Sequence, residues 1–391
     1  MDLRFTPEEE AFRDQARTYL EDLLGGDFAD VRGRGGPGDE HSCFERRLDW
    51  EQRLGVDGWT CTGWPVEHGG RGLPLVEQVI WFEEYARAKG PGRLGHIGEG
   101  LIGPTLIHFG TPAQQVRFLP EIVAGRELWS QGYSEPNAGS DLANVSTRAV
   151  LDGDDWVLDG QKVWTSLAQW SQWCFVLART DPDAAPRHRG ISFLLVPMDA
   201  DGIEIRPIDQ LTGDSEFNEV FFTGTRTSVD NLIGEVHGGW KVAMGLLAFE
   251  RGSSTLGQQL AFASEFADIL SVARSRGLQN DPLWRQRLTD AWLRLEIMRW
   301  NSLRMLTQAD RPELSEAAYI HKLYWARLHR DLGELAVDVL GPQAMADAAG
   351  DAQRLFLFTR SDTIYGGSNQ IQRNIIGERA LGLPPEPKVA R

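Results

Sequence analysis

The sequence predicts an α–β–α chain: a helical first third, a central β segment and a helical remainder. Three observations support this. Apolar residues recur at helical spacing near both ends. Between about Trp129 and Gly238 short apolar or β-branched runs alternate with Asp-Gly turns instead. The 391 residues, 41% hydrophobic and 25% charged, suffice for two or three domains around a sizeable core. The expected division is residues 1–128, 129–238 and 239–391.

In the first segment Thr6-Pro7-Glu8-Glu9-Glu10 predicts a helix start, with Thr6 as N-cap and acids beside the positive end of the dipole. Phe12, Ala16, Tyr19, Leu20 and Leu23 continue its apolar face. Gly, Asp and Arg dominate from Gly25 to about His41, a loop. Helical patterns resume over Phe44–Leu54 and Pro74–Ala88, and again from Thr111-Pro112. In the second segment Trp156–Leu158, Trp173–Ala178, Ile191–Val196 and Glu219–Phe222 read as strands. Asp152–Asp155, Asp159-Gly160 and Asp201-Gly202 read as the turns between them, which predicts an antiparallel sheet or barrel. Helical period returns after Gly238-Gly239-Trp240 and persists to about Ala380.

A formal net charge of −16 argues against nucleic acid as the main partner. Cys43, Cys61 and Cys174 are too few and scattered for a disulfide framework or a zinc site, and no metal is expected. No apolar run is long enough to span a bilayer, and the first residues lack a signal-peptide core, so a cytoplasmic location is expected.

Three stretches have the composition of a binding site. Tyr133-Ser134-Glu135-Pro136-Asn137-Ala138-Gly139-Ser140-Asp141 offers small residues that let a flat ligand approach, and hydroxyls and amides for its polar edge. Taken alone it also reads as a turn capped by Ser134 and Asp141. Lys162-Val163-Trp164-Thr165-Ser166 places an indole beside a hydroxyl on a strand. With 14 tryptophans in the chain, a core role for Trp164 is the simpler isolated reading. Ile364-Tyr365-Gly366-Gly367-Ser368-Asn369-Gln370 is a glycine turn opening a helix, whose amides can receive an anion. No strand precedes it, so it is not a dinucleotide fingerprint.

In this order and texture the three stretches resemble the acyl-CoA dehydrogenase family. Trp64-Pro65-Val66-Glu67-His68-Gly69-Gly70-Arg71-Gly72 resembles that family's N-terminal domain, so the likeness covers nearly the whole chain. It implies an N-terminal helical domain, a central β-barrel domain and a C-terminal helical bundle. It also implies FAD as cofactor and α,β-dehydrogenation of an acyl-CoA, as in fatty-acid β-oxidation. Electrons would pass to an electron-transfer flavoprotein or similar acceptor. Position by position, Gln131, Tyr133 and Ser134 match the flavin's polar edge, and Trp164 and Ser166 its ring system. Ser368 and Gln370 match its ribityl-phosphate side. Ser140 matches the pantetheine arm of the substrate, with Tyr365, Gly366 and Gly367 beside the thioester.

Many members carry the catalytic base as a Glu directly after that Tyr; here the position is Gly366. A subset resembling isovaleryl- and long-chain-acyl dehydrogenases places a Glu followed by Arg on the first helix of the C-terminal domain. Phe249-Glu250-Arg251-Gly252 matches, making Glu250 the expected base. Arg251 either supports that site or forms a surface ion pair. The family's Arg-x-x-Phe-Gly is replaced by Arg274-Ser275-Arg276-Gly277-Leu278, leaving Arg274 and Arg276 as alternative cations. Its adenine-side glycine motif is replaced by Asp338–Ala344. A homodimer or homotetramer is implied, and a mixed assembly of two kinds of chain is the other possibility. Two rival functions stand beside the dehydrogenase: a flavin oxidase or monooxygenase on the same fold, and a non-catalytic partner subunit.

Overall fold

A computed structural model describes residues 5–250, 254–306, 316–346 and 350–385. The chain packs as two compact units. One comprises Glu21–Pro74 and Gly90–Glu250; the other comprises Met1–Leu20, Leu75–Lys89 and Arg251–Arg391. Their borders differ from the three-segment division along the sequence, because the 75–89 stretch groups with the C-terminal helices.

Five helices come first: α1 (Pro7–Gly25), α2 (Phe44–Val56), α3 (Leu75–Arg87), α4 (Gly103–Phe109) and α5 (Pro112–Val123). Capping boxes start two of them. Thr6 N donates to Glu9 Oε2 at 2.7 Å while Glu9 N donates to Thr6 Oγ1 at 3.2 Å. Thr111 and Gln114 repeat the exchange at the head of α5. A π-helical turn, Gly98–Ile102, leads into α4.

Eight strands follow: β1 (Trp129–Gly132), β2 (Arg148–Asp152), β3 (Asp155–Ser166), β4 (Trp173–Arg179), β5 (Ile191–Pro197), β6 (Ile203–Pro207), β7 (Phe217–Ser228) and β8 (Leu232–Ile233). They form one sheet in the order β6-β7-β3-β2-β4-β5-β8, with β1 also on β4. The expected antiparallel sense holds for β2–β3, β3–β7, β4–β5, β5–β8 and β6–β7. It fails for β1–β4 and β2–β4, which are parallel. Neither pair is joined by a hairpin; a long connection lies between the partners, which permits parallel pairing. Asp159-Gly160 is likewise not a turn. β3 runs through it as a bulge, with Gly160 at φ 154° and its backbone so close to Thr147 that a Cβ would lie 2.6 Å from Thr147 Cα.

β4 and β5 are apolar on both faces because both are covered. Phe175, Leu177, Phe193 and Leu195 face a core shared with α4, α5 and α6 (Gly239–Glu250). Cys174, Val176, Leu194 and Val196 face a second core inside the sheet domain. Each of the Phe, Leu and Val side chains contributes roughly 1.5–3 kcal/mol by burial.

The second unit joins α3 to α7 (Ser254–Ser275), α8 (Pro282–Leu306), α9 (Glu316–Leu340), α10 (Gln343–Ala346), α11 (Asp351–Phe358) and α12 (Asn369–Ile375). Phe266, Leu295, Met298, Trp325, Leu328 and Leu332 form its core. Arg13 of α1 reaches Glu83 at 2.7 Å and Glu84 at 2.8 Å on α3, both buried carboxylates. Among the described residues no helix is long and apolar enough to cross a membrane.

Two glycines of the π-turn region make a paired test. A Cβ on Gly103 would overlap the Trp64 ring, whereas one on Gly100 meets nothing within 4 Å. Gly103→Ala is expected to cost about 1–3 kcal/mol by overpacking. Gly100→Ala should be neutral or gain up to about 1 kcal/mol from helix propensity. Denaturant midpoints of the two variants check this; equal effects would mean that Trp64 moves freely aside.

Candidate active site

β1 delivers the chain to the Tyr133–Asp141 stretch. Gln131 is still in the sheet, opposite Phe175. Tyr133 is buried, its ring edge-on to Phe175 at 5.8 Å. The turn closes through two hydrogen bonds, Glu135 N to Ala138 O and Ala138 N to Glu135 O, each 3.0 Å. Val163 N donates to Ser134 O at 2.9 Å, so the first two sequence stretches lie side by side.

Beneath them is a buried ion pair that the sequence reading did not assign. Lys162 Nζ donates to Glu135 Oε1 at 2.8 Å, Leu177 O at 2.8 Å and Tyr133 O at 3.2 Å, which uses all three ammonium protons. Glu135 accepts three further hydrogen bonds, from Ser146 N, Ser146 Oγ and Thr147 N, at 2.6–2.8 Å. Burial raises the Glu135 pKa, but the Lys162 charge and these donated bonds outweigh it and pull the carboxyl down to about 2. Arg179 completes the clamp: its guanidinium donates to Val145 O, Ala143 O and Arg187 O at 2.7–3.0 Å. The available sequence signal was a lysine at an inward position of a strand in a chain with few lysines.

Trp164 is not a core residue. It stands at an irregularity where β3 and β7 lose register, with φ 60° and 58% of its surface exposed. A bulky side chain in the left-handed region costs roughly 1–2 kcal/mol and is a mark of functional constraint. Its exposed indole is one aromatic face available to a planar ligand; Phe217 meets it edge-on at 6.3 Å. Ser134 and Ser166, both half-buried, make no side-chain hydrogen bond among the described residues. An exposed indole and unengaged hydroxyls on two hydrogen-bonded stretches suit a flat ligand with a polar edge. Ser140 lies exposed in the bend after Gly139.

The third stretch belongs to the other unit. Tyr365 donates its hydroxyl to Asp362 Oδ1 at 2.7 Å. Gly366 and Gly367 follow at φ 60° and 85°, and Gln372 Nε2 donates to Gly366 O at 3.1 Å. Ser368 is the N-cap of α12, accepting from Ile371 N at 3.3 Å. Gln370 is exposed, and the buried Asn369 Oδ1 has no partner among the described residues. Arg276 donates to Leu340 O, so the two altered motifs of the C-terminal helices touch. Glu250 is the last residue of α6. Its side chain, and the whole of Arg251, lie outside the described residues.

Family models fit this architecture over almost its full length. Residues 6–126 match the acyl-CoA dehydrogenase N-terminal domain, 130–225 the middle domain and 237–381 the C-terminal domain. The chain belongs to the acyl-CoA dehydrogenase family. It is 56% identical over 382 residues to acyl-CoA dehydrogenase IpdE1 of Mycobacterium tuberculosis, covering 97% of this chain and 99% of that protein. Among solved structures it resembles the Tcur3481-Tcur3483 steroid ACAD at TM-score 0.86 and 33% identity, covering 99% of this chain and 100% of that one. The ChsE4-ChsE5 complex from Mycobacterium tuberculosis gives TM-score 0.82 and 30% identity, with the same coverage of each chain. The chain is thus an oxidoreductase of the acyl-CoA dehydrogenase kind, with helical ends around a central β domain.

The clamp beneath the site gives an acid-sensitivity prediction. The Glu135 pKa is depressed on folding, so its contribution to stability is complete above about pH 4.5 and is lost as pH falls toward about 2. Lys162→Met leaves Glu135 buried without its counter-charge and is expected to cost about 3–5 kcal/mol at neutral pH. Denaturant melts at neutral and acidic pH check both effects. A variant as stable as the parent would show that water reaches and neutralises the carboxylate's environment.

Proposed function

We propose that this acyl-CoA dehydrogenase binds FAD and converts an acyl-CoA thioester to its trans-2-enoyl-CoA, with Glu250 as the base. The observation that carries the reading is the juxtaposition of exposed Trp164 with the unengaged hydroxyls of Ser134 and Ser166 on two hydrogen-bonded stretches. Gln131, Tyr133 and Ser134 would hold the flavin's polar edge, and Trp164 and Ser166 its ring system. Ser368 and Gln370 would meet its ribityl-phosphate side. When bound, FAD supplies a hydride acceptor for the β-carbon.

The protein's own task is proton removal and positioning. Glu250 takes the α-proton, a role suited to a carboxylate in a dry site that raises its basicity. Ser140 would lie along the pantetheine arm, and Tyr365, Gly366 and Gly367 beside the thioester, with Arg251 supporting the base or the loop. A glycine at 366 leaves room beside the reacting carbons. That room suits a bulky acyl group, and the similar structure named as a steroid ACAD favours a substrate with a fused-ring or branched substituent over a plain fatty acyl chain.

A second reading concerns assembly. Arg276 is engaged by Leu340 O where the family's adenine-side motifs are altered, and two similar structures are named as pairs of different chains. α8 also leaves Trp292, Leu293, Ile297 and Trp300 exposed, an apolar stripe suited to a partner helix. FAD would then be held fully only in an oligomer, either of this chain or with a second kind of chain.

Glu250→Gln should retain FAD and substrate binding while lowering turnover roughly 10²–10⁴-fold, because the α-proton has no acceptor. Stopped-flow anaerobic reduction by a panel of straight, branched and steroid-derived acyl-CoAs measures this; near-normal reduction removes Glu250 from the mechanism. Reoxidation of the reduced enzyme in air should be slow, and fast reoxidation would identify an oxidase. The purified chain should be yellow, and a chain that stays colourless with added FAD would instead require the second kind of subunit.

A further inference from the structure

A buried ion network lies behind the Tyr365–Gly367 loop, within the unit that contains α7 to α12. His329 of α9 stacks on Phe262 of α7, ring centroids 3.8 Å apart. Its Nδ1 is 2.7 Å from Asp362 Oδ2 and its Nε2 is 2.9 Å from Glu265 Oε2. Carboxylates only accept, so a ring with one on each nitrogen is satisfied fully when both nitrogens carry protons. Burial alone would push the imidazole pKa down, but the Glu265 and Asp362 carboxylates outweigh burial and hold it up at about 9.

Asp362 passes the connection to the loop. Its Oδ1 accepts the Tyr365 hydroxyl, and its backbone carbonyl accepts from Lys322 Nζ at 2.5 Å. The Lys322 ammonium also sits 5.1 Å from the Trp325 ring centre and 5.6 Å from that of Tyr365. Other charges packed on α9 are engaged elsewhere along it. Arg294 of α8 pairs with Asp331 at 2.8 Å, and Arg360, after α11, pairs with Glu334 at 2.9 Å. Arg330 pairs with Asp331, its neighbour on α9. The line Glu265–His329–Asp362–Tyr365 therefore runs from α7 through α9 to the residue before Gly366.

We propose that His329 is a positioning residue for this loop: through Asp362 it holds Tyr365, Gly366 and Gly367 in the arrangement that receives the acyl thioester. The proposal rests on the reading of these three residues as substrate contacts. The charged ring is essential to it, because a neutral ring has one N–H and leaves either the buried Asp362 Oδ2 or the half-exposed Glu265 facing an unprotonated nitrogen. The His329 pKa is raised on folding, so the clamp is complete below about pH 6.5 and is released as pH rises through about 9.

The test uses the flavin-loaded enzyme in its native assembly, with an acyl-CoA and a dye acceptor, across neutral to alkaline pH. In the parent, KM should rise roughly tenfold through a midpoint near 9 while kcat changes by less than about threefold. His329→Gln should have the raised KM already at neutral pH and lack the alkaline midpoint. Glu265→Gln keeps the ring and removes one charge, so its midpoint should move to lower pH. That half-exposed position also preserves the test if His329→Gln fails to fold. Hydrogen exchange of amides 363–367, corrected for the intrinsic effect of pH, reads the loop without turnover and should quicken roughly tenfold in His329→Gln. A loop that stays protected overturns the role of His329. A loop that loosens while KM and its pH profile stay unchanged overturns the reading of Tyr365–Gly367 as the substrate contact.

Discussion

Glu135 and Lys162 meet at 2.8 Å with both side chains buried, and the main chain of the candidate flavin site depends on that contact. A buried ion pair is costly to desolvate, and an apolar pair of similar volume is often as stable. Here the charges do something that apolar packing cannot. Lys162 binds the carbonyls of Tyr133 and Leu177, and Glu135 binds the amides of Ser146 and Thr147. Two side chains thus fix the end of β1, the start of β2, and points on β3 and β4. Ser134 occupies the position between two residues held by this pair.

Around that fixed point, the site residues gather where regular pairing gives way. Trp164 stands within the second register shift of β3 against β7, between Lys162 and Thr165, with a left-handed backbone. Ser134 lies two residues beyond the last paired residue of β1, Gly132, and its carbonyl accepts from Val163 N. Regular strands satisfy their own backbone polar groups, so main-chain amides become available to a ligand at such interruptions. The other unit repeats the arrangement in helical form. A buried Asp362 anchors a short turn, and the two residues with positive φ come directly after Tyr365.

Local signals made much of the fold legible in the sequence. Thr6 and Thr111 identified helix starts because a capping box lies within four residues. β4 and β5 were legible as unbroken apolar runs. Asp159-Gly160 misled because the Asp-Gly pair that suits a hairpin also suits a bulge, and only the close approach of Thr147 decides between them. Residue type alone favours the core for Trp164, and only its place in the family motif implied a ligand contact. The partners of Glu135, Lys162, Arg179 and His329 are 8 to 64 residues away in sequence, and no local pattern specifies such pairs. The family motifs located Tyr133–Ser140 and Tyr365–Gln370 without revealing the buried charges that hold them.

Gly366 illustrates how backbone and chemistry constrain each other. Its φ of 60° lies where a side chain is strained, and Gln372 fixes its carbonyl from below. A glutamate there, as many family members carry, would need either that strain or a different path for the loop. The neighbouring Gly367, at φ 85°, is equally strained for a side chain, and a Cβ there would lie 2.7 Å from Gln372 Nε2. A side chain is therefore disfavoured on this loop by conformation, and on the proposed reading also by the space a bulky acyl group would need. On the proposed mechanism the base moves to Glu250, at the end of a helix, where the residue has ordinary helical backbone. The loop is then free to be shaped by Asp362 and Tyr365 for substrate contact alone, which separates proton removal from substrate fit into two independently adjustable parts.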